Sequence, residues 1–127
     1  MTTILDSHGV TVLADDRARI AEMLDRGEWP PLVPAAVLVE CLTGDNRRDF
    51  RTNRLLRQCN VREVSEVIAR HAARLRTLAR GDRISPTDAI VAATADHAGG
   101  GVILTSDVDD LRALAENSEH TIRIAHV

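Results

Sequence analysis

Two aspartates follow apolar stretches at points where a carboxylate can do chemistry. Asp6 ends "TTILD" and Asp107 ends "VILTSD", and both stretches have the pattern of short buried strands. Because ligands commonly bind at the carboxyl edge of an open parallel sheet, we expect both acids to lie at that edge. Each also has a simpler structural role, since Asp6 can form a turn with its own backbone and Asp107 can cap a following helix.

Two further acids, Glu40 and Asp88, lie on predicted helices. Asp88 follows Ser85 by three residues, the spacing of a capping box, and this role alone would account for it. Glu40 is the single charge between Glu28 and Asp45 and is flanked by "AAVLV" and "CL", so we expect it to be buried. A buried carboxylate must bind a proton, an arginine or a cation, because an unpaired charge is costly to bury. A bound cation is the alternative that would give all four acids a common role as ligands.

These carboxylates favour a site for a hard divalent cation. Asp110 lies one helical turn after Asp107 on the same face, so it is either a fifth oxygen ligand or a charge that stabilises the helix N-terminus. Asp109 points elsewhere. Crowded carboxylates repel one another unless a cation joins them, and oxygen ligands select Mg²⁺ or Mn²⁺ over Zn²⁺. Two such ions about 4 Å apart commonly drive phosphodiester cleavage.

The elements that must position these acids alternate between strands and helices. The predicted strands are "TTIL", the start of "PPLVPAAVLVECLTG", "NVREV", "GVILTSD" and "TIRIAHV". The predicted helices are "ADDRARIAEMLDRG", the second stretch from Pro34 onward, "DNRRDFRTNRLLRQCN", "SEVIARHAARLRTLARG", "SPTDAIVAATADHAGG" and "VDDLRALAEN". "SHGV" is interpreted as a turn. This alternation predicts one α/β domain over residues 1–127 with a largely parallel sheet.

Capping residues and apolar spacing define these helices in more detail. Ser65 begins and Gly81 ends the fourth predicted helix, and Ser85 with Pro86 begins an almost wholly apolar, buried fifth helix. The third predicted helix has an inner face of Phe50, Leu55 and Leu56. The inner face of the fourth consists of Val67, Ile68, Ala72, Leu75 and Leu78.

Composition and charge exclude several function classes. The net charge is -3, but residues 45–80 hold ten arginines against four acidic residues, whereas the remaining residues hold six against fifteen. Lysine is absent, which excludes a lysine nucleophile or Schiff base. Arg47, Arg51 and Arg54, here called the arginine stripe, occupy one outer face of the third predicted helix. The stripe is either a binding surface for RNA phosphates or a solvated helix face.

Cysteine usage and hydropathy bear on the cellular compartment. Cys41 and Cys59 lack metal-ligand spacing, so we expect reduced, partly buried thiols without a chemical role. No apolar run approaches the roughly 18 residues of a membrane helix. "MTTIL" lacks the basic start and the length of a signal peptide. We therefore expect a cytoplasmic protein.

Taken in order, the acidic motifs resemble the PIN-domain family, and within it the VapC-type toxin ribonucleases of bacterial toxin–antitoxin pairs. The resembling pieces are "ILDS", "VPAAVLVECLTG" with Glu40, "SPTDAIVAATA" with Asp88, and "VILTSDVDDL", and together they cover nearly the whole chain. The resemblance implies a three-layer α/β/α sandwich and RNA cleavage by a water that Mg²⁺, or Mn²⁺ in its place, activates. It also implies a small antitoxin partner and a homodimer.

The same resemblance assigns roles to individual residues. The metal ligands and catalytic residues become Asp6, Glu40, Asp88 and Asp107. Asp110 supports them, and Thr105 supplies a hydroxyl that orients the cluster or its water. The family usually continues after the first acid with an apolar helical stretch, whereas "SHGV" brings His8 and Gly9 here. His8 is interpreted as a turn histidine, with substrate contact as the alternative.

Two other functions fit parts of the pattern. In a haloacid-dehalogenase-like phosphatase the nucleophilic aspartate ends the first strand within a D-x-D-G-[TV] motif, so Asp6 would be the nucleophile. Here His8 replaces the second aspartate of that motif. A PIN-like module without activity would bind only RNA or a partner protein, and the four acids argue against it.

Overall fold

A computed structural model describes residues 1–80 and 83–127, and a five-stranded parallel sheet runs through its centre. The strand order is β3-β2-β1-β4-β5. The strands are β1 (Thr3–Leu5), β2 (Leu32–Pro34), β3 (Asn60–Arg62), β4 (Gly101–Thr105) and β5 (Ile122–His126). Every pairing is parallel, and the central pair aligns Leu5 of β1 with Leu104 of β4. Their carboxyl ends therefore lie side by side, as the sequence predicted.

In the described part of the chain, seven helices cover the sheet. They are α1 (Ser7–Ala14), α2 (Arg17–Asp25), α3 (Leu38–Cys41), α4 (Phe50–Leu56), α5 (Glu66–Leu78), α6 (Pro86–His97) and α7 (Val108–Ala115), and a 3-10 turn at Ala35–Val37 leads into α3. Helices α2, α3 and α4 pack on α1, whereas α5, α6 and α7 pack on one another. The predicted three-layer α/β/α sandwich is confirmed. None of the described helices is long and apolar enough to span a membrane.

The core lies on both faces of the central strands. All residues of β1, β2 and β4 are buried, because strands of a parallel sheet are covered on both sides and have continuous apolar sequences. Helix α6 is buried along most of its length, as its apolar sequence predicted. Ser65 and Ser85 cap α5 and α6 as predicted, and Pro86 is the first residue of α6. The predicted helix end at Gly81 lies outside the described residues.

The interpretation of "SHGV" as a turn is wrong, because this segment is the first turn of α1. The Asp6 carboxylate caps the helix by accepting a hydrogen bond from the Gly9 amide at 2.8 Å. A Cβ atom at Gly9 would lie 2.7 Å from the carbonyl oxygen of Leu104, so glycine lets α1 pack against the end of β4. The predicted helix "ADDRARIAEMLDRG" is present as α2 but begins later, since Ala14 still belongs to α1 and Asp16 caps α2 by accepting from the Arg19 amide.

The predicted inner faces are correct only in part. Leu55, Leu56, Ile68, Ala72 and Leu75 are buried, whereas Phe50, Val67 and Leu78 are exposed.

Helix α4 also begins later than predicted. The buried Asp49 carboxylate accepts hydrogen bonds from the Thr43 and Gly44 amides, and these bonds hold the pKa of Asp49 below its ordinary value even though burial opposes the shift. The segment before Phe50 is therefore a turn built around Asp49, and Arg47 lies in that turn.

Both cysteines are unpaired and half-buried, as predicted. Burial raises the pKa of Cys41 and of Cys59 to about 11. Each side chain is therefore a protonated thiol at neutral pH, and a protonated thiol is a poor nucleophile and a poor metal ligand.

Candidate metal centre

The site begins with Asp6, which follows β1 and is only 2% exposed. Its Oδ1 accepts the hydrogen bond from the Gly9 amide, and its Oδ2 accepts one from the Thr105 hydroxyl. Both oxygens are thereby fixed in position, and each keeps a lone pair for a further partner. The structural role that the sequence suggested for Asp6 is present, and it fixes the orientation of the carboxylate.

Thr105 connects the two strand ends. Its side chain is fully buried, and its hydroxyl donates to Asp6 and accepts from the Asp107 amide at 2.9 Å. The hydroxyl has one proton, and that proton goes to Asp6. Thr105 therefore fixes the carboxylate after β1 relative to the backbone after β4. The hydroxyl thus contacts one of the predicted ligands, and the role of Thr105 at a metal site stays a prediction.

Asp107 does not have the simple capping role. It occupies the N-cap position of α7, yet its side chain makes no capping hydrogen bond, and the side chain is 45% exposed. Its amide bonds to Thr105 instead. The Asp107 carboxylate is therefore available to the site.

His8 completes a tight group with these two acids, and the sequence analysis did not predict it as a ligand. Its Nδ1 lies 3.9 Å from Oδ2 of Asp6 and 4.0 Å from Oδ2 of Asp107. Among the described residues, Asp6, His8 and Asp107 form the one group whose ligand atoms all lie within 4.8 Å of one another. The sequence has no local signal for this placement, because it depends on α1 beginning at Ser7.

Asp88 is the acid of the site whose pKa is raised. Its amide donates to the Ser85 hydroxyl at 3.0 Å, but within the described part of the chain no reciprocal bond reaches its carboxylate, so the capping box is only half formed. Burial raises the pKa of Asp88, four neighbouring carboxylates raise it as well, and together they bring it to about 7. Those neighbours are Asp107, Asp6, Glu40 and Asp110. The structure thus brings all five predicted acids into one electrostatic site.

The outer acids differ in exposure from the prediction. Glu40 is exposed, so the expectation of a buried Glu40 is wrong. Helix α3 is only four residues long, and both Val39 and Glu40 lie on its outer side. Asp110 is half-buried, while Asp109 is exposed and is not among the charges acting on Asp88. Glu40, Asp88 and Asp110 lie outside the tight group around His8.

The residues present fit a divalent cation. Burial and four neighbouring carboxylates raise the pKa of Asp88, so a cation beside it would favour the ionised side chain. The donors are mostly carboxylate oxygens, which suit Mg²⁺ or Mn²⁺, and one is an imidazole nitrogen. A single ion with bonds of about 2.1 Å reaches two atoms up to about 4.2 Å apart, and both distances from His8 fall within that limit.

The arginine stripe borders a groove at the other end of α1. This arginine groove has a volume of about 270 Å³ and is lined by Ala14, Arg17, Ile20, Arg51, Arg54, Leu55 and Gln58. Arg51 also pairs with Asp15 at 2.9 Å. The structure therefore brings two members of the stripe together with Arg17, which the sequence analysis missed because Arg17 belongs to another helix. Arg47 is exposed in the preceding turn and is not among these lining residues.

Comparisons with known proteins agree with this architecture. A family model described as the PIN domain matches residues 8–117, beginning just after Asp6. The crystal structure of DNA-bound VapBC from Salmonella typhimurium is 19% identical, with a TM-score of 0.74 over 99% of this chain and 98% of that chain. VapBC2 from Rickettsia felis, bound to a DNA fragment from the promoter, is 15% identical, with a TM-score of 0.74 over 100% and 99%.

A third structure, a toxin-antitoxin complex from Klebsiella pneumoniae, is 22% identical, with a TM-score of 0.64 over 86% of this chain and 89% of that chain. At these identities the likeness concerns the fold. A comparison with curated protein sequences gives no match.

Proposed function

Because the chain belongs to the PIN domain family, we propose that it is a metal-dependent endoribonuclease and the toxin of a toxin–antitoxin pair. The observation that carries the proposal is the group of Asp6, His8 and Asp107, whose ligand atoms lie within 4.8 Å of one another. Asp88 lies close enough for the other four acids to raise its pKa. Five carboxylates at one edge of a parallel sheet disfavour the metal-free fold and favour cation binding. We propose further that residues 1–127 form one such domain.

Asp6 and Asp107 are the proposed primary ligands, with Glu40 and Asp88 as further ligands and Asp110 in support. When bound, Mg²⁺, or Mn²⁺ in its place, supplies an activated water and balances the charge that develops on the phosphodiester. The protein itself contributes fixed positions for the ligand side chains. Thr105 holds the Asp6 carboxylate at a fixed place relative to Asp107, so the ligands need little reorganisation when an ion binds.

The arginine groove is the proposed contact for the RNA backbone. Guanidinium groups bind phosphates with two parallel hydrogen bonds, and Arg17, Arg51 and Arg54 lie together there. Helix α1 leads from Asp6 to this groove, a distance of about 12 Å for its eight residues. An RNA strand lying along α1 would place one phosphate near the acids and others near the arginines. Arg47 would add a contact from the turn before α4.

The partner is proposed from the similar structures, which are VapBC and toxin-antitoxin complexes. By analogy, a small antitoxin protein would bind this chain, and the toxin would form a homodimer. Membership of the PIN family removes the basis for the phosphatase alternative. A PIN module that binds RNA without cleaving it is the alternative that the following assay tests.

The test is cleavage of total RNA by purified protein, freed of any co-purifying partner, with Mg²⁺, Mn²⁺ or EDTA. The inactive variant is Asp6→Asn, since asparagine can still accept the Gly9 amide bond but lacks the charge. The matched control is Asp109→Asn, which removes an exposed charge that does not act on Asp88. We expect metal-dependent cuts in wild type and Asp109→Asn and none in Asp6→Asn. RNA binding without cleavage in wild type would favour the inactive module.

A further inference from the structure

We propose that His8 is an additional metal ligand, which turns an all-carboxylate centre into a mixed nitrogen and oxygen centre that prefers Mn²⁺ to Mg²⁺. This inference rests on the proposed metal centre and deepens it. Nδ1 of His8 lies 3.9 Å from the Asp6 carboxylate and 4.0 Å from the Asp107 carboxylate. These distances are too long for hydrogen bonds, and each is short enough for one ion to contact His8 and that acid.

The backbone holds His8 at this position. It is the second residue of α1, and the cap formed by Asp6 and Gly9 fixes the first turn of that helix. The close approach of Gly9 to the Leu104 carbonyl sets the same turn against the end of β4. The imidazole is therefore carried on a rigid segment and enters the site between two strand ends. Its side chain is 52% exposed, which leaves one side open to ions and water.

The chemistry of the imidazole sets the expected selectivity. Mg²⁺ strongly prefers oxygen ligands, whereas imidazole nitrogen suits first-row transition ions. A nitrogen donor beside Asp6 and Asp107 therefore adds more to Mn²⁺ binding than to Mg²⁺ binding. An alternative is that His8 acts as a positive charge that balances the two acids and competes with any ion. The two roles predict opposite effects when the imidazole is removed.

The experiment measures Mn²⁺ and Mg²⁺ affinities by isothermal titration calorimetry, with Mn²⁺ binding confirmed by electron paramagnetic resonance. The variants are His8→Ala and His8→Asp, and the matched control is His97→Ala, an exposed histidine at the last residue of α6. Because His8 is exposed, we expect both variants to fold, and circular dichroism checks this. Loss of one ligand should weaken Mn²⁺ binding by about tenfold and Mg²⁺ binding by less than about threefold. His8→Asp should move the preference toward Mg²⁺.

Three results would overturn the assignment of His8. If wild type and His8→Ala bind Mn²⁺ equally tightly, His8 is not a ligand, and the proposed carboxylate centre is unaffected. Tighter binding of both ions by His8→Ala shows a competing positive charge instead of a ligand. Absence of binding of either ion to wild type overturns both the assignment and the metal dependence in the proposed function.

Discussion

Replacing Asp88 with asparagine should stabilise the metal-free protein at alkaline pH. The pKa of Asp88 rises from 3.8 to about 7 because the side chain is buried and faces four other carboxylates. Each factor of ten in proton affinity is worth about 1.4 kcal/mol, so ionised Asp88 disfavours folding by at most about 4 kcal/mol. Asparagine removes that charge and keeps the cap, because the cap bond runs from the residue 88 amide to Ser85.

The pH dependence follows from the sign of this shift. Below about pH 4 Asp88 is protonated in both the folded and the unfolded chain, so it contributes nothing. Between about pH 4 and pH 7 the folded state keeps a proton that the unfolded state has lost, and the penalty grows with pH. Above about pH 7 the penalty is constant. Asparagine also loses a favourable charge at the helix N-terminus, worth about 0.5 kcal/mol, so we expect a net gain of about 2–3 kcal/mol.

The assay is urea unfolding in EDTA at pH 8 and at pH 4, comparing wild type, Asp88→Asn and Asp109→Asn. Asp109→Asn removes a charge without relieving the site, so its stability should match wild type within about 0.5 kcal/mol. Asp88→Asn should be more stable at pH 8 and nearly neutral at pH 4. A loss of stability at pH 8 would refute the reasoning and show that the Asp88 carboxylate serves the helix cap. In saturating Mg²⁺ the gain should shrink, because the variant binds the ion less tightly.

The remaining predictions concern three other parts of the molecule. Burial opposes ionisation of Asp96, but bonds from the Glu119 amide, His71 and His120 hold the pKa of Asp96 at about 2. Asp96→Asn should therefore lose about 2 kcal/mol at neutral pH by urea unfolding, and the difference should fade from about pH 4 to pH 2. Gly9→Ala should lower stability by about 1–3 kcal/mol, because its Cβ meets the Leu104 carbonyl. Alanine at all three positions of the arginine stripe should weaken RNA binding in filter-binding assays and make it less dependent on salt concentration. The affinity for Mn²⁺ should stay the same. Unchanged RNA affinity would refute the proposed contact.

The sequence predicts the sheet and the inner acids because both depend on local patterns. Short apolar runs end at Asp6 and Asp107, and parallel pairing alone is enough to bring their ends to one edge. The helical identity of "SHGV" could not be predicted in the same way. Glycine and histidine favour a turn locally, and only the approach of α1 to the Leu104 carbonyl explains why glycine is in the helix. His8 was missed as a ligand for this reason.

Other errors arise where exposure depends on element length. Glu40 was expected to be buried because its neighbours are apolar, but α3 is too short to have a second buried turn. Phe50 was assigned to an inner face because a longer helix was predicted, whereas the turn built around Asp49 delays the start of α4. Arg17 joins the arginine groove from α2, and contact between separate helices leaves no periodic signal in the sequence.

Asp6 and Asp88 differ in what surrounds their carboxylates. The Asp6 carboxylate receives hydrogen bonds from Gly9 and Thr105, which fix its orientation before any ion arrives. In the described part of the chain no donor reaches the Asp88 carboxylate, so its pKa reflects burial and the repulsion of the whole cluster. The protein's own hydrogen bonds therefore fix the orientation of Asp6, whereas the charge of Asp88 must be balanced by a proton or a cation. This is why removal of metal should lower the free energy of unfolding above about pH 7 and leave the arrangement of Asp6, Thr105 and Asp107 unchanged.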